Sequence, residues 1–413
     1  MDEEVFFEEQ LKFDLSVVDF AKIDQELLNR TFENLHLMAG ISYYKTYCPP
    51  EIVLKNKQLT TTQARFWNNL YTRGLGEFFY TNELDFQDLI KFPVSKGFKV
   101  KALKSSLRER SLLPIGGGKD SLLSAELLQK AGEDFTLFSL NNPGPIEETA
   151  RIIAKERIIV YRTLDPQLIV LNKQGAYNGH VPITAYLSFL LLTCAVLYDY
   201  KYLILSLEKS SNFGQVLYHG LDINHQYSKS EEFERDFRQY VEQFICSGIE
   251  MFSLLRPFYE IKIAQLFVDK GARYFSTFSS CNTNFKLQNP ANERWCGVCP
   301  KCAFVFAIFS AFMPKEKLLE IFGKNLYANP ELLETYRELL GLVGIKPFEC
   351  VGTDEEVQLA LYLAHNRGEY EEDPVMQMFV AELLPSLQLE KLQEKLLQTY
   401  EHDLLPERFR KIL

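Results

Sequence analysis

Between Ile115 and Ser121 the chain reads IGGGKDS, set between a short apolar run and a helix-like one. Three consecutive glycines, Gly116, Gly117 and Gly118, present backbone N–H groups with no side chains in the way. Lys119, Asp120 and Ser121 then open the helix. Bare N–H donors, the partial positive charge of a helix N-terminus and a cationic side chain together suit a pyrophosphate. The spacing is not that of a Walker A loop, which keeps four residues between its glycines. A glycine-rich turn without a ligand would use the same residues, but the strand–loop–helix context favours the nucleotide reading.

A second constellation is built from sulfur. Cys281 is followed by WCGVCPKC, which spaces Cys296, Cys299 and Cys302 by two residues each. Gly297 and Pro300 break regular helix there and let the chain fold as a knuckle with its thiols inward. Four thiolates would close a tetrahedral, structural Zn²⁺ site. An iron–sulfur cluster and four reduced, packed thiols are the other readings of this spacing. Cys48, Cys194, Cys246 and Cys350 lack ligand spacing and are expected to be structural.

Three polar runs complete the candidates. AYNGHVPITA carries Tyr177, Asn178, His180 and Thr184; SLEKSSNFG carries Ser206, Glu208, Lys209 and Asn212; NHQYSKS carries His225, Tyr227 and Lys229. Each alone could be a solvated loop, and together they are richer in His, Tyr, Lys and Asn than linkers require. Together they support a shared active-site role, with His180, Glu208, His225, Tyr227 and Lys229 as its candidate residues.

These residues need elements to position them. From Ser111 the pattern alternates strand and helix: strands at 112–115, 135–140, 158–161 and 202–207, and helices after Lys119, from Pro145 and around Tyr186–Tyr198. Such alternation predicts an α/β fold, a parallel sheet with helices on both faces, whose ligands sit at the carboxyl ends of the strands. Residues 1–105 read as an N-terminal α+β module, 106–310 as the nucleotide-binding domain with its cysteine knuckle, and 311–413 as mostly helical, interrupted by KPFECVGT (Lys346–Thr353).

Composition sets the bounds. A chain of 413 residues with 46% apolar and 24% charged residues is ordinary globular protein. The net charge of −10 argues against bulk attraction to nucleic acid. The acidic N-terminus shows no signal-peptide pattern, and the apolar run Tyr186–Tyr198 is too short for a membrane span. Eight cysteines without a secretion signal imply reduced thiols, and a cytoplasmic protein with no membrane partner is expected.

The glycine stretch resembles the PP-loop, SGGxDS, of enzymes that split ATP between its α and β phosphates, with Gly116 standing where that pattern has Ser. PIGGGKDS, NGHVP, SLEKSSN, NHQYSKS, SCN, WCGVCPKC and KPFECVGT together resemble the ATP-dependent UDP-N-acetylmuramoyl-L-alanyl-L-glutamate epimerases of peptidoglycan precursor synthesis. The resemblance spans about Leu113–Thr353, with RGLGEFFYTN as weaker support upstream. It implies an adenine nucleotide alpha-hydrolase-like fold. It also implies conversion of the terminal L-glutamate of UDP-MurNAc-L-Ala-L-Glu to D-glutamate, with ATP becoming AMP and diphosphate. Gly116–Gly118, Lys119 and Ser121 would hold the diphosphate, and Asp120 would orient the loop or approach Mg²⁺. Ser139 and Asn141 would lie near adenine. Two other classes stay open: another PP-loop adenylating enzyme (7-cyano-7-deazaguanine synthase-like or tRNA-modifying) and a non-catalytic nucleotide-binding protein.

Overall fold

The computed structural model describes residues 5–285 and 293–413. Its strands are β1 (Gln10–Lys12), β2 (Leu103–Lys104), β3 (Ser111–Pro114), β4 (Phe135–Leu140), β5 (Arg157–Thr163), β6 (Tyr202–Leu205), β7 (Val216–Tyr218), β8 (Leu221–Ile223), β9 (Cys246–Ser247) and β10 (Glu250–Ser253). Six of them form the central sheet in the order β1-β5-β4-β3-β6-β10. The pairs β5-β4, β4-β3, β3-β6 and β6-β10 are parallel. The sheet departs from the all-parallel expectation at one edge, where β1 runs antiparallel to β5 with Gln10 opposite Thr163. The N-terminal segment therefore contributes to the main sheet, and β2 also reaches across to pair with β9. The remaining pair, β7 and β8, is a hairpin.

The helices are α1 (Gln25–Tyr44), α2 (Thr61–Gly74), α3 (Gly76–Thr81), α4 (Lys119–Lys130), α5 (Gly144–Ile153), α6 (Pro166–Lys173), α7 (Ile183–Tyr198), α8 (Glu231–Phe244), α9 (Glu260–Lys270), α10 (Pro300–Ser310), α11 (Lys315–Phe322), α12 (Leu333–Leu339) and α13 (Asp354–Asn366). Three more, at Pro374–Glu382, Leu389–Leu397 and Glu407–Arg410, complete a mostly helical C-terminal region. None among the described residues is long and apolar enough to cross a membrane.

Alternation along the strands divides the core in two. Leu112, Leu203 and Leu205 point to a face covered by α1, α2, α7 and α8, around Trp67, Phe189 and Tyr240. Leu113, Tyr202, Ile204 and Phe252 point to the opposite face, covered by α4, α9, α10 and α13. Strands buried on both faces need apolar residues in both phases of the pleat, which explains runs such as YLIL in β6. Helix α7 is buried along almost its whole length, so its apolar residues follow no single-sided pattern.

The strand order locates the site. From β3 the chain winds outward through β4 and β5, then returns to place β6 on the other side of β3. The carboxyl ends of β3 and β6 thus flank a topological switch point, where open α/β sheets form a crevice. The glycine loop leaves β3 there, and SLEKSSN leaves β6.

Candidate active site

The loop from Ile115 to Gly118 joins β3 to α4, and its glycines differ in what the fold asks of them. Gly117 has φ +75°, and a Cβ there would lie 3.1 Å from the carbonyl oxygen of Pro145. At Gly118 a Cβ would lie 2.8 Å from the Ser280 hydroxyl. A Cβ at Gly116 would meet nothing within 4 Å. Gly117→Ala should therefore cost about 1–2 kcal/mol from the left-handed backbone alone, while Gly116→Ser should stay within about 0.5 kcal/mol of the parent. Urea unfolding of both variants measures the contrast; equal losses would contradict it.

Ser121 spans the loop: its hydroxyl donates to the Gly118 carbonyl at 3.2 Å and accepts from the Gly116 N–H at 3.4 Å. Asp120 is the one acidic residue of the first turn of α4. Lys119 turns inward, with its side chain only 1% exposed, and its ammonium contacts Asp120 at 2.5 Å and Glu260 at the start of α9. Burial opposes its charge, but these two carboxylates hold the ammonium well above its ordinary range. Ser139 is buried in β4, and its hydroxyl finds no partner among the described residues. Asn141 has φ +60° and accepts from the Arg162 N–H, which ties it to β5.

Glu260 leads onward. Lys301, the second residue of α10, lies 3.6 Å from Glu260 and donates to the carbonyl of Cys350. The Cys350 thiol is 3.7 Å from Nε2 of His225, whose Nδ1 contacts Glu77 on α3. His180 Nδ1 is 3.5 Å from the same Glu77 carboxylate, with its ring centroid 4.5 Å from that of His225. Direct contacts therefore run from Lys119 at the glycine loop to the two histidines.

The polar runs meet here. Glu208, only 3% exposed, lies three residues beyond β6, which ends at Leu205 rather than at the expected residue 207. Burial and the nearby Glu260 push its carboxyl above the ordinary range, while Lys229 pulls the other way. Lys229 donates to Gln226 at 3.3 Å. Burial disfavours its charge, and Cys350 and Glu208 outweigh that and raise it. Burial lowers His180 well below its usual value, with the cationic neighbours His225, Lys229 and Lys45 adding to the effect. His225 is opposed by burial yet raised to about 9 by hydrogen bonds to Cys350 and Glu77.

Tyr227 is not brought into this group. Its hydroxyl accepts from Asn69 at 3.2 Å and its ring lies 5.0 Å from the Arg73 guanidinium. The 3-10 turn Tyr227–Lys229 sends Tyr227 into the apolar core and Lys229 toward the thiol. Conversely, Glu77, Glu260, Lys301 and Cys350 belong to the group although sequence reasoning did not select them. Cys350, expected to be structural, is half-buried and touches two candidate site residues. KPFECVGT, already notable as a turn-rich interruption, was the signal available for it.

The four cysteines converge as their spacing predicts. The sulfurs of Cys281, Cys296, Cys299 and Cys302 all lie within 4.8 Å of one another, with Cys296 and Cys302 3.7 Å apart. That separation fits the edge of a tetrahedron with metal–sulfur bonds of about 2.3 Å. The cluster also supports the glycine loop, because Ser279 donates its N–H to the Gly117 carbonyl at 3.0 Å and Ser280 crowds Gly118.

Residues 1–254 match the family model described as the MurL N-terminal domain, and residues 277–394 match that of the MurL C-terminal domain. The chain belongs to the MurL family. It is 38% identical over 376 residues to the UDP-N-acetyl-alpha-D-muramoyl-L-alanyl-L-glutamate epimerase of Xanthomonas oryzae pv. oryzae, covering 91% of this chain and 83% of that protein. Proteins of the same name from Micromonospora sp. and Salinispora tropica are each 38% identical over 354 residues. Those matches cover 86% of this chain and 78% and 77% of the relatives. The MurL N-terminal match ends just after β10 and the C-terminal one begins just before the cysteine cluster, so the chain's site draws residues from both.

Proposed function

We propose that this MurL-family chain epimerises the terminal L-glutamate of UDP-MurNAc-L-Ala-L-Glu to D-glutamate in the cytoplasm, using ATP to adenylate the carboxyl group. The observation that carries this reading is the unbroken path of contacts from Lys119 in the glycine loop through Glu260 and Lys301 to His225 and Cys350. One site can then serve both carboxyl activation and proton transfer.

The chemistry requires both. A free carboxylate resists loss of its α-proton, because a second negative charge would develop beside the first. As an acyl adenylate the group loses that charge, and its carbonyl accepts the electrons released. A PP-loop fold is supported by the parallel sheet and by the glycine loop at the switch point. In this reading the amides of Gly116–Gly118 and the start of α4 receive the diphosphate, Lys119 and Ser121 contribute positive charge and a hydroxyl, and Asp120 offers a carboxylate to Mg²⁺. Ser139 and Asn141 lie on β4 and its exit, the side assigned to adenine. Glu208, His180, His225 and Lys229 surround the reacting carbon, with Glu208 kept able to carry a proton by its raised pKa.

Incubation with ATP, Mg²⁺ and UDP-MurNAc-L-Ala-L-Glu, followed by chiral analysis of glutamate and assay of AMP, tests the reading. Equal amounts of D-glutamate and AMP in the first turnovers are expected. AMP without D-glutamate would instead identify another adenylating enzyme, and neither product would identify a binding protein.

Four converging thiols support a structural Zn²⁺ that holds the Ser279–Cys281 segment against the glycine loop. Metal analysis should give about one zinc per chain, and Cys299→Ser should lower both metal content and melting temperature. Iron with visible absorbance, or no metal at all, would overturn this assignment.

A further inference from the structure

Cys350 stands among the candidate site residues, in contact with His225 and Lys229. Its side chain is half-buried, and its thiol faces Nε2 of His225 at 3.7 Å, while Nδ1 of His225 is held by Glu77. A thiol, an imidazole and an orienting carboxylate in this order form the constellation that activates sulfur in enzymes. Lys229 is a hydrogen-bonding neighbour of the same thiol, and Lys301 fixes the Cys350 carbonyl. Glu349 precedes it in the chain and accepts from Asn282 at 2.6 Å.

Two other members of the group keep their protons at neutral pH. Lys229 is an ammonium, and His225 is raised to about 9, so neither has a free lone pair. Glu208, raised to about 7 by burial and Glu260, and His180, held neutral by burial, are left as candidates for the second group. Burial would raise the Cys350 thiol too, but Lys229, the hydrogen bond from His225 and the charges of His225 and Lys301 bring it to about 5. The titratable groups facing it are thus His225, Lys229, Lys301 and Glu349, with Glu77 and Glu208 one contact further away.

We infer that the Cys350 thiolate is one of the two groups that exchange the glutamate α-proton, with His225 and Glu77 as its positioning residues. The inference rests on the epimerase reading. The thiolate takes the α-proton to form S–H, and the C–H electron pair passes into the activated carbonyl as an enolate. A proton from a second group on the opposite face then forms the new C–H bond, and exchange with water resets both groups.

The test compares Cys350→Ala and Cys350→Ser with the parent in D₂O, following AMP, D-glutamate and α-deuterium. Both variants should lose D-glutamate formation by at least about 100-fold, the usual scale of a general base, while still converting ATP to AMP. D-glutamate within threefold of the parent would overturn the inference. So would parallel loss of AMP at unchanged melting temperature, or a hydroxylamine-sensitive acyl thioester on Cys350, which would make the sulfur a nucleophile. If the parent forms D-glutamate without AMP, the adenylation reading fails instead, and the deuterium measurement still decides the role of Cys350. On the parent protein, iodoacetamide at pH 6 should alkylate Cys350 rapidly, as mapped by peptide mass spectrometry. His225→Asn should slow that alkylation by raising the thiol pKa, and an unchanged rate would remove His225 from its positioning role.

Discussion

Lys119→Ala is expected to abolish AMP formation, with a loss of at least about 100-fold on the scale of removing one preorganised charge from a reacting phosphate. The same substitution is expected to destabilise the fold. Lys119 is 1% exposed and pairs with a Glu260 that is 3% exposed, so its removal subtracts a cation from a buried carboxylate. Breaking such pairs commonly costs about 3–5 kcal/mol. The loss here should fall below that range, since Lys301 still lies 3.6 Å from Glu260 and the Asp120 side chain is 26% exposed. A double-mutant cycle separates the two effects. Lys119→Ala with Glu260→Gln should recover part of the unfolding free energy and none of the AMP formation. Recovery of activity in the double variant would mean that Lys119 serves only to neutralise Glu260.

How far the chain can be read without its structure differs from one feature to the next. The strand at 135–140, the start of the strand expected at 202–207 and the helix from Lys119 are visible because local patterning and Gly or Pro punctuation mark them. Strand β10 escaped notice: EMFS is four residues long, and its pairing to β6 is a long-range event. The cysteine cluster was legible because two-residue spacing constrains three of the sulfurs directly. His180, His225, Glu208 and Lys229 could be nominated by residue type, since the carboxyl ends of the strands gather such loops. Glu77, Glu260 and Cys350 could not. Each stands in an ordinary local setting and acquires its role from a partner 148, 141 or 125 residues away in the chain.

Arg256→Met should be among the most destabilising single substitutions in this chain, costing about 3–5 kcal/mol. Arg256 follows β10 and is sealed in the core with Glu234 of α8, each side chain 1% exposed. Its guanidinium donates to Glu234 at 2.9 Å, to the Glu208 carbonyl at 2.6 Å, to the Ser211 hydroxyl at 2.9 Å and to the Lys229 carbonyl at 2.7 Å. One planar fork thereby fixes the backbones of two candidate proton-transfer residues that lie on separate loops. Removing it strands the Glu234 carboxylate and frees Glu208 and Lys229 to drift, so epimerisation should fall even in the fraction that remains folded. Arg256→Lys separates these roles. An ammonium can neutralise Glu234 but cannot reach four acceptors in one plane. That variant should regain much of the stability measured by urea unfolding while its D-glutamate rate stays well below the parent's. If Arg256→Lys restored both, charge alone would suffice, and the planar fork would have no part in positioning the two loops.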